Sequence, residues 1–160
     1  MTNYEPLKLK SGKYEGQSVE RLMFTNYNYL VYLYKKMGEG SSENPNRLEK
    51  RIKELLKKGE NRKSVLLCPQ CGEKHVQYFS VRYSRAGGAS IGAAYTSCDT
   101  RECMKVLSST TNAPVSLFPI KFSALQYVRK SERKMVEGLF RNVFGMKTLT
   151  EKKLTEFFRE

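Results

Sequence analysis

The chain contains four cysteines, and they form two short-range pairs. Cys68 and Cys71 have two residues between them and are followed by Gly72, whereas Cys98 and Cys103 have four residues between them. A CxxC-Gly sequence makes a tight turn that aims both sulfurs inward, and four thiolates are the preferred ligands of a tetrahedral structural Zn²⁺. The spacing predicts one structural zinc ion held by these four cysteines.

Other uses of these cysteines stay open. A redox CxxC would leave the second pair without a role, and two disulfides would require an oxidising compartment. His75, the only histidine, lies four residues beyond Cys71 and could replace a cysteine as a ligand. Because four cysteines already complete a tetrahedral site, we interpret His75 as a residue of the strand surface.

A β-hairpin is expected between the two cysteine pairs. Residues 64–67 are a short apolar strand that leads into the first pair, and residues 74–83 alternate as a second strand does. Small residues at 84–90 form the tip, and residues 91–97 return to the second pair. The pattern predicts a zinc ribbon over residues 64–107.

The ribbon resembles the zinc finger of the phage late-transcription activators of the Ogr/Delta type. Both have a Cys-Pro-x-Cys-Gly knuckle, here residues 68–72, and arginines in the hairpin, here Arg82 and Arg85. Both also have an aromatic residue, here Tyr95, before a second knuckle that contains Glu, here residues 98–103 with Glu102. It is also similar to the ribbons at the end of type IA topoisomerases, which bind single strands. The resemblance implies contact with DNA and, for the activators, with RNA polymerase.

The net charge points to a polyanionic partner. The 160 residues suffice for one domain or two small ones, and their formal net charge is +13. Nucleic acid is the first candidate and an anionic membrane the second; the alternative is a merely cationic domain. Residues 47–63 carry eight basic and three acidic side chains, and residues 121–160 carry ten and five, so the basic charge flanks the ribbon.

An amphipathic helix is predicted in the basic segment 47–63. Asn44 is its expected N-cap, Pro45 its first residue and Gly59 the residue after its end. Opposite the apolar face, at about 100° per residue, the helix carries three lysines: Lys50, Lys53 and Lys57. This stripe suits contacts with phosphates, each of which releases counterions. The alternative is a solvated face that neighbouring glutamates partly neutralise.

Residues 1–37 are predicted to form a small βα module, which a linker over residues 38–46 joins to the basic helix. The module resembles the C-terminal domain of exodeoxyribonuclease X in its strand, its glycine-lysine-tyrosine turn and the helices that follow. The matching residues are Gly12, Lys13, Tyr14, Gly16, Val19, Tyr29 and Leu30. The resemblance implies an accessory module for nucleic acid without catalytic residues. The alternative is a small core with no site of its own.

Residues 108–160 are predicted to start as a polar crossing and to continue as helices. Ser123 with Gln126 forms a capping-box pattern, and Thr148 with Glu151 is expected to cap the last helix. The polar side carries a basic group that includes Arg129, Lys130, Arg133 and Lys134. It forms either a second surface for phosphates or part of a partner-docking element.

Catalysis is not expected. The chain has one aspartate, Asp99, inside the second knuckle, and its glutamates are scattered among lysines. A metal-dependent nuclease needs clustered carboxylates or a base beside the phosphate, and a four-cysteine site leaves no open coordination position.

No apolar run approaches the ~20 residues that cross a membrane, and the first residues lack a signal-peptide apolar region. We expect a non-enzymatic, cytoplasmic or nucleoid-associated protein in a reducing compartment, without a membrane partner.

These patterns together predict an α+β protein, with a zinc-ribbon β-hairpin core flanked by a small N-terminal βα module and basic amphipathic helices. The predicted function is nucleic-acid binding, with DNA ahead of RNA, as a transcription or regulatory factor that contacts RNA polymerase or another replication or transcription protein. The predicted contacts are Lys50, Lys53, Lys57, Arg82, Tyr83, Arg85, Arg129, Lys130, Arg133 and Lys134. The alternatives are a single-strand-binding accessory in replication or repair and a protein-binding adaptor or inhibitor.

Overall fold

A computed structural model describes residues 4–38, 46–86, 89–109 and 117–159, with the backbone alone described for residues 83–86, 89–91 and 108–109. Within these ranges the chain forms six α-helices and a three-stranded antiparallel sheet. The predicted α+β class is confirmed. The predicted linker lies almost entirely outside the described residues, and so does most of the polar crossing that begins the C-terminal region.

The helices are α1 (Val19–Thr25), α2 (Tyr27–Lys36), α3 (Arg47–Asn61), α4 (Arg101–Ser109), α5 (Arg133–Val143) and α6 (Glu151–Arg159), with a 3₁₀ helix over Phe122–Gln126. The strands are β1 (Tyr78–Ala86), β2 (Ala89–Ser97) and β3 (Phe118–Pro119), and β1 lies in the middle. The register pairs Tyr78 with Ser97 and Ala86 with Ala89. β1 and β2 therefore form one long hairpin between the two cysteine pairs.

The N-terminal turn brings together three of the seven residues on which the predicted exodeoxyribonuclease X resemblance depends. The rings of Tyr14 and Tyr29 meet edge to face with their centroids 4.7 Å apart. The Tyr14 hydroxyl donates to Oδ1 of Asn26, the residue that joins α1 to α2, at 2.8 Å. Gly12 has a φ of 94°, a left-handed conformation that costs glycine little. A Cβ atom at this position would also lie 3.1 Å from the Tyr29 hydroxyl.

The ends of α3 differ from the prediction. The N-cap is Asn46, whose Oδ1 accepts the N–H of Glu49 at 2.9 Å; Asn44 lies outside the described residues. The helix does not stop before Gly59 but continues to Asn61, and Gly59 is buried within it. Both predicted ends are therefore wrong, the first by two residues and the second because packing overrides the weak helix propensity of glycine.

The core joins the hairpin to the helices on both sides of it in the sequence. Phe79 of β1 stacks on Phe118 of β3, with centroids 5.3 Å apart, and meets Phe140 of α5 edge-on at 5.6 Å. Phe140 contacts Phe122 at 5.4 Å, and Phe122 contacts Phe24 of α1 at 5.2 Å. Because these rings form one chain of contacts, the hairpin is anchored to the same core as α1 and α5.

Two predicted helix caps are replaced by other contacts. Ser123 does not cap a helix with Gln126; its N–H and hydroxyl both donate to the carboxylate of Glu60, at 2.6 and 2.7 Å. At the start of α6, Thr150 takes the capping role predicted for Thr148, and its Oγ1 accepts the N–H of the third residue beyond it at 3.3 Å. The competing partner of Ser123 comes from 63 residues away, a distance that local patterns do not report.

Candidate metal centre

The first cysteine pair lies on the turn of a short hairpin over residues 66–76. The N–H of Cys68 donates to the carbonyl of Lys74 at 2.7 Å, and the N–H of Gly72 donates to the carbonyl of Cys68 at 2.8 Å. Gly72 has a φ of 69°, which glycine adopts without strain. The turn places the sulfurs of Cys68 and Cys71 on its inner side, as the CxxC-Gly pattern predicts.

The second pair connects the sheet to a helix that was not predicted. Cys98 follows the last residue of β2, and Cys103 lies in the first turn of α4. The N–H of Met104 donates to the carbonyl of Thr100 at 2.9 Å, which begins the helix. Leu107, one turn beyond Cys103, is buried. The four residues between the two cysteines therefore contain the sheet-to-helix junction.

The four Sγ atoms form one cluster in which all lie within 4.8 Å of one another. The sulfurs of Cys71 and Cys98 are 3.9 Å apart, close to the ~3.8 Å expected between ligands of tetrahedral Zn²⁺ at a Zn–S distance of about 2.3 Å. All four cysteines are free, and a disulfide would need a sulfur separation of about 2.05 Å. Cys71 is exposed and the other three are buried. The cluster could hold one metal ion.

The sulfurs differ in their affinity for protons. Burial raises the pKa of Cys68, but backbone N–H groups, led by that of Cys71, outweigh it and bring the pKa down to about 6. Burial and hydrogen bonds with the other thiols raise the pKa of Cys103 to about 12. Backbone N–H groups, first that of Lys74, lower the pKa of Cys71. A bound divalent cation would supply the charge that displaces the remaining protons, so the donor set fits a thiolate-bound metal.

The two knuckles are also joined at the surface. Nζ of Lys74 lies 3.3 Å from Oδ1 of Asp99, and both side chains are about half exposed. His75, next to Lys74, is exposed and pairs with Leu67 through an isolated β-bridge. It is not part of the sulfur cluster. His75 therefore lies on the strand surface, as predicted from the sequence.

The predicted lysine stripe of α3 is exposed along its length. The three residues are Lys50, Lys53 and Lys57. Of the two glutamates that could neutralise them, Glu49 is buried, and Glu54 pairs with Arg51 at 3.7 Å and with Lys58 at 3.3 Å. Among the described residues, no ion-pair partner reaches the stripe. The stripe is therefore a continuous positive surface.

The hairpin residues predicted to contact nucleic acid are placed differently. Arg82 is partly buried, and its guanidinium lies 5.0 Å from the centre of the Tyr95 ring. Its Nε and Nη2 atoms are buried without a hydrogen-bond partner. The side chains of Tyr83 and Arg85 lie outside the described part of the structure. Only the backbone register of these two residues, opposite Gly92 and Ser90, is described.

The C-terminal basic group divides into exposed and inward-facing residues. Arg129, Lys130 and Lys134 are exposed. Arg133 is half-buried, and its Nε donates to the carbonyl of Val128 at 3.4 Å. With the amide of Asn28 in the orientation that satisfies its neighbours, the same Nε donates to the Asn28 oxygen at 2.7 Å. Arg133 therefore links α5 to α2, and the other three remain available to a partner.

A cleft beside the four-cysteine cluster contains residues that were not predicted as a site. It has a volume of about 800 Å³ and lies between residues 60–64, the knuckle residues 73–78 and residues 119–121. The third segment is distant from the first two in the sequence, and each of the three contributes at least one basic side chain. The run of basic residues at Arg62-Lys63 is the one local signal that marks this region in advance.

No protein-family model, curated protein or solved structure matches this chain. The resemblances to phage activators, topoisomerase ribbons and exodeoxyribonuclease X therefore stay predictions. In the described ranges, none of the helices combines the length and the apolar character required to cross a membrane.

Proposed function

We propose that this protein binds nucleic acid, DNA ahead of RNA, and that a zinc ribbon stabilises its binding surface. In this proposal it acts as a transcription or regulatory factor without a catalytic step. The observation that carries the proposal is the exposed stripe of Lys50, Lys53 and Lys57, because the glutamates that could neutralise it are buried or paired elsewhere.

The stripe is held on a rigid element. Ile52 and Leu55, on the opposite face of α3, are completely buried. At about 1.5 Å of rise per residue, the three lysines span roughly 10 Å of helix. A duplex carries one phosphate charge per ~1.7 Å of its axis, so neighbouring phosphates lie within reach of all three. Lysines fixed in this way lose less backbone entropy on binding than lysines of an unfolded tail.

The proposed zinc ion has a structural role. Zn²⁺ is the metal that four-cysteine sites of this spacing bind in a closed tetrahedron, which leaves no coordination position for a substrate. The ion would fix the turn of residues 66–76 against the start of α4. The resemblance to Ogr/Delta-type activators supports a transcription role and a contact with RNA polymerase through the ribbon.

The test is a salt series of DNA binding with a charge-matched control. The variant Lys50→Gln/Lys53→Gln/Lys57→Gln removes the stripe. The control, Lys10→Gln/Lys36→Gln/Lys152→Gln, removes three exposed lysines that lie outside α3. Each phosphate contact contributes about 0.9 to the slope of log K against log salt for duplex DNA. The stripe variant should therefore lower the slope by up to about 2.7, whereas the control should lower it much less.

Two results would contradict the proposal. If the wild-type protein binds neither duplex DNA, single-stranded DNA nor RNA at low salt, nucleic acid is not its partner, and a protein-binding adaptor becomes the better hypothesis. If both triple variants reduce the slope equally, binding depends on net charge and not on α3. Circular dichroism of each variant verifies that the fold is unchanged.

A further inference from the structure

The cleft beside the metal centre has the size and lining of a small-ligand site. Its volume of about 800 Å³ falls within the ~300–1,000 Å³ of sites that enclose small molecules. Val76 and Ile120 are buried and form an apolar floor, and Gln77 and Tyr78 lie beside them. An apolar floor with a few polar side chains suits a planar, hydrogen-bonding group.

The charges at the rim favour an anion. Lys63 and Lys121 line the cleft from different segments, are exposed, and have no acidic partner among the described residues. Two of the three acidic residues are occupied: Glu60 accepts two hydrogen bonds from Ser123, and Asp99 pairs with Lys74. The cleft is lined by four basic and three acidic side chains, which gives a formal net charge of +1, and Lys63 and Lys121 are the cations that could contact an anion.

The cleft also continues toward the lysine stripe. Arg62 lines both this cleft and a second, smaller one of about 390 Å³. The smaller cleft is bordered by Lys57, the last lysine of the stripe, and by Asn61. A strand whose phosphates contact Lys57 would thus meet a concave surface that leads past Arg62 to the knuckle.

We propose that this cleft binds an unpaired nucleotide of a single strand, with its phosphate at Lys63 and Lys121 and its base beside Tyr78. The inference rests on the proposed nucleic-acid binding and specifies the form of the ligand. Bases of a duplex stay stacked inside it, so a base enters a protein cleft only when it is unpaired. Aromatic side chains and a positive groove are the usual means of holding such a base.

The experiment compares fluorescein-labelled dT12 with a labelled duplex of 12 base pairs. The cleft variants are Lys63→Gln/Lys121→Gln and Tyr78→Leu, and Tyr78→Phe is the conservative control that keeps a ring. Each phosphate contact with a single strand contributes about 0.7 to the slope of log K against log salt. The double lysine variant should therefore lower this slope for dT12 by up to about 1.4. Loss of one stacking contact between a base and an aromatic ring lowers affinity at least about fivefold. Tyr78→Leu should therefore weaken dT12 binding by at least this factor, whereas Tyr78→Phe keeps the ring and should not. Duplex affinity should change less than twofold.

The outcomes separate the two proposals. If the duplex binds through the α3 stripe but dT12 binding is insensitive to all cleft variants, the cleft proposal is wrong and the proposed function stands. If no nucleic acid binds, both are wrong. A titration of the ¹⁵N-labelled protein with thymidine monophosphate gives a second readout that needs no variant. Shifts confined to the amides of His75, Gln77 and Ile120 support the cleft, and shifts elsewhere or none contradict it.

Discussion

Gly59 of α3 lies directly against the ring of Phe122. A Cβ atom at position 59 would lie 2.9 Å from Cδ2 of Phe122 and 2.7 Å from Cε of Met23. The end of the Met23 side chain is flexible and can move aside. The Phe122 ring is completely buried and stacks on Phe144, with ring centroids 5.3 Å apart. This close approach explains why a glycine occupies a helix interior.

We therefore expect Gly59→Ala to destabilise the protein, although alanine is the better helix former. Overpacking costs about 1–3 kcal/mol, against a gain in helix propensity of about 1 kcal/mol. Gly138 in α5 is the matched control, because an added Cβ would meet only Nη2 of Arg141, at 3.8 Å. Gly138→Ala should stabilise by roughly 0.5–1 kcal/mol. Urea denaturation measures both changes, and equal effects of the two substitutions would contradict the packing argument.

The hydrogen bonds between Ser123 and Glu60 should contribute measurably to stability. Ser123→Ala removes the hydroxyl donor at 2.7 Å from the carboxylate and leaves the N–H donor at 2.6 Å in place. A hydrogen bond to a charged group contributes about 1.5–3 kcal/mol, and partial exposure places the expected loss at the lower end. Ser131→Ala, at an exposed turn position, should change the free energy of unfolding by less than about 0.5 kcal/mol. Comparable losses in the two variants would contradict the assignment.

The sequence patterns whose predictions agree with the structure are those that depend mainly on residues close together in the sequence. The spacing of Cys68, Cys71, Cys98 and Cys103 indicates which sulfurs can meet, and the alternation of residues 74–83 indicates a strand before the tip of the hairpin. The lysine stripe of α3 follows from helical periodicity. Within each cysteine pair, along the strand and along α3, the residues that carry the pattern are a few positions apart.

The incorrect predictions involve competition between local and long-range partners. Asn44 and Asn46 are both good caps, and the structure uses Asn46. Gly59 locally indicates a helix end, but in the structure it packs against Phe122 inside α3. Ser123 locally indicates a capping box, but in the structure it donates its hydrogen bonds to Glu60. The cleft was not predicted, because its basic residues meet only through tertiary packing.

Glu137 of α5 should make stability depend on pH. Burial raises the pKa of its carboxyl group from 4.5 to about 7, although Arg141, Arg133 and Lys134 oppose the shift. Because the folded state holds this proton more tightly than the unfolded state, the contribution is fully present below pH 4.5 and is lost as the pH rises through about 7. Ionised Glu137 therefore opposes folding at pH 8.

The variant Glu137→Gln removes this titration. Its stability relative to the wild type should rise between pH 4.5 and pH 8, with most of the change complete by the pKa of about 7. Urea denaturation at pH 4.5, 6 and 8 measures the difference. Glu156→Gln, at an exposed position of α6, is the control and should show no such trend. A difference between wild type and Glu137→Gln that stays constant with pH would show that Glu137 is not the group responsible.

Removal of the metal should unfold the turn of residues 66–76 and α4 and leave the aromatic core folded. The sulfur cluster joins the turn of residues 66–76 to α4, whereas Phe24, Phe122 and Phe140 pack together without it. We expect one zinc per chain by elemental analysis. After chelation, amide signals of residues 66–76 and of α4 should collapse while those of α1 and α5 persist. Without the cation, the four sulfurs lose the bonds that would hold the turn of residues 66–76 against α4, and the local structure that depends on them unfolds.

Substitutions at the two knuckles separate metal binding from surface pairing. Cys103→Ser removes a buried thiol of the cluster and should reduce zinc content and α4 signals together. Lys74→Gln removes the half-exposed pair with Asp99. Because a solvent-exposed ion pair contributes little to stability, one zinc per chain should remain. If purified protein contains no metal and its spectrum is unchanged by chelators, the cysteines do not form a metal site, and their clustering must be explained by packing alone.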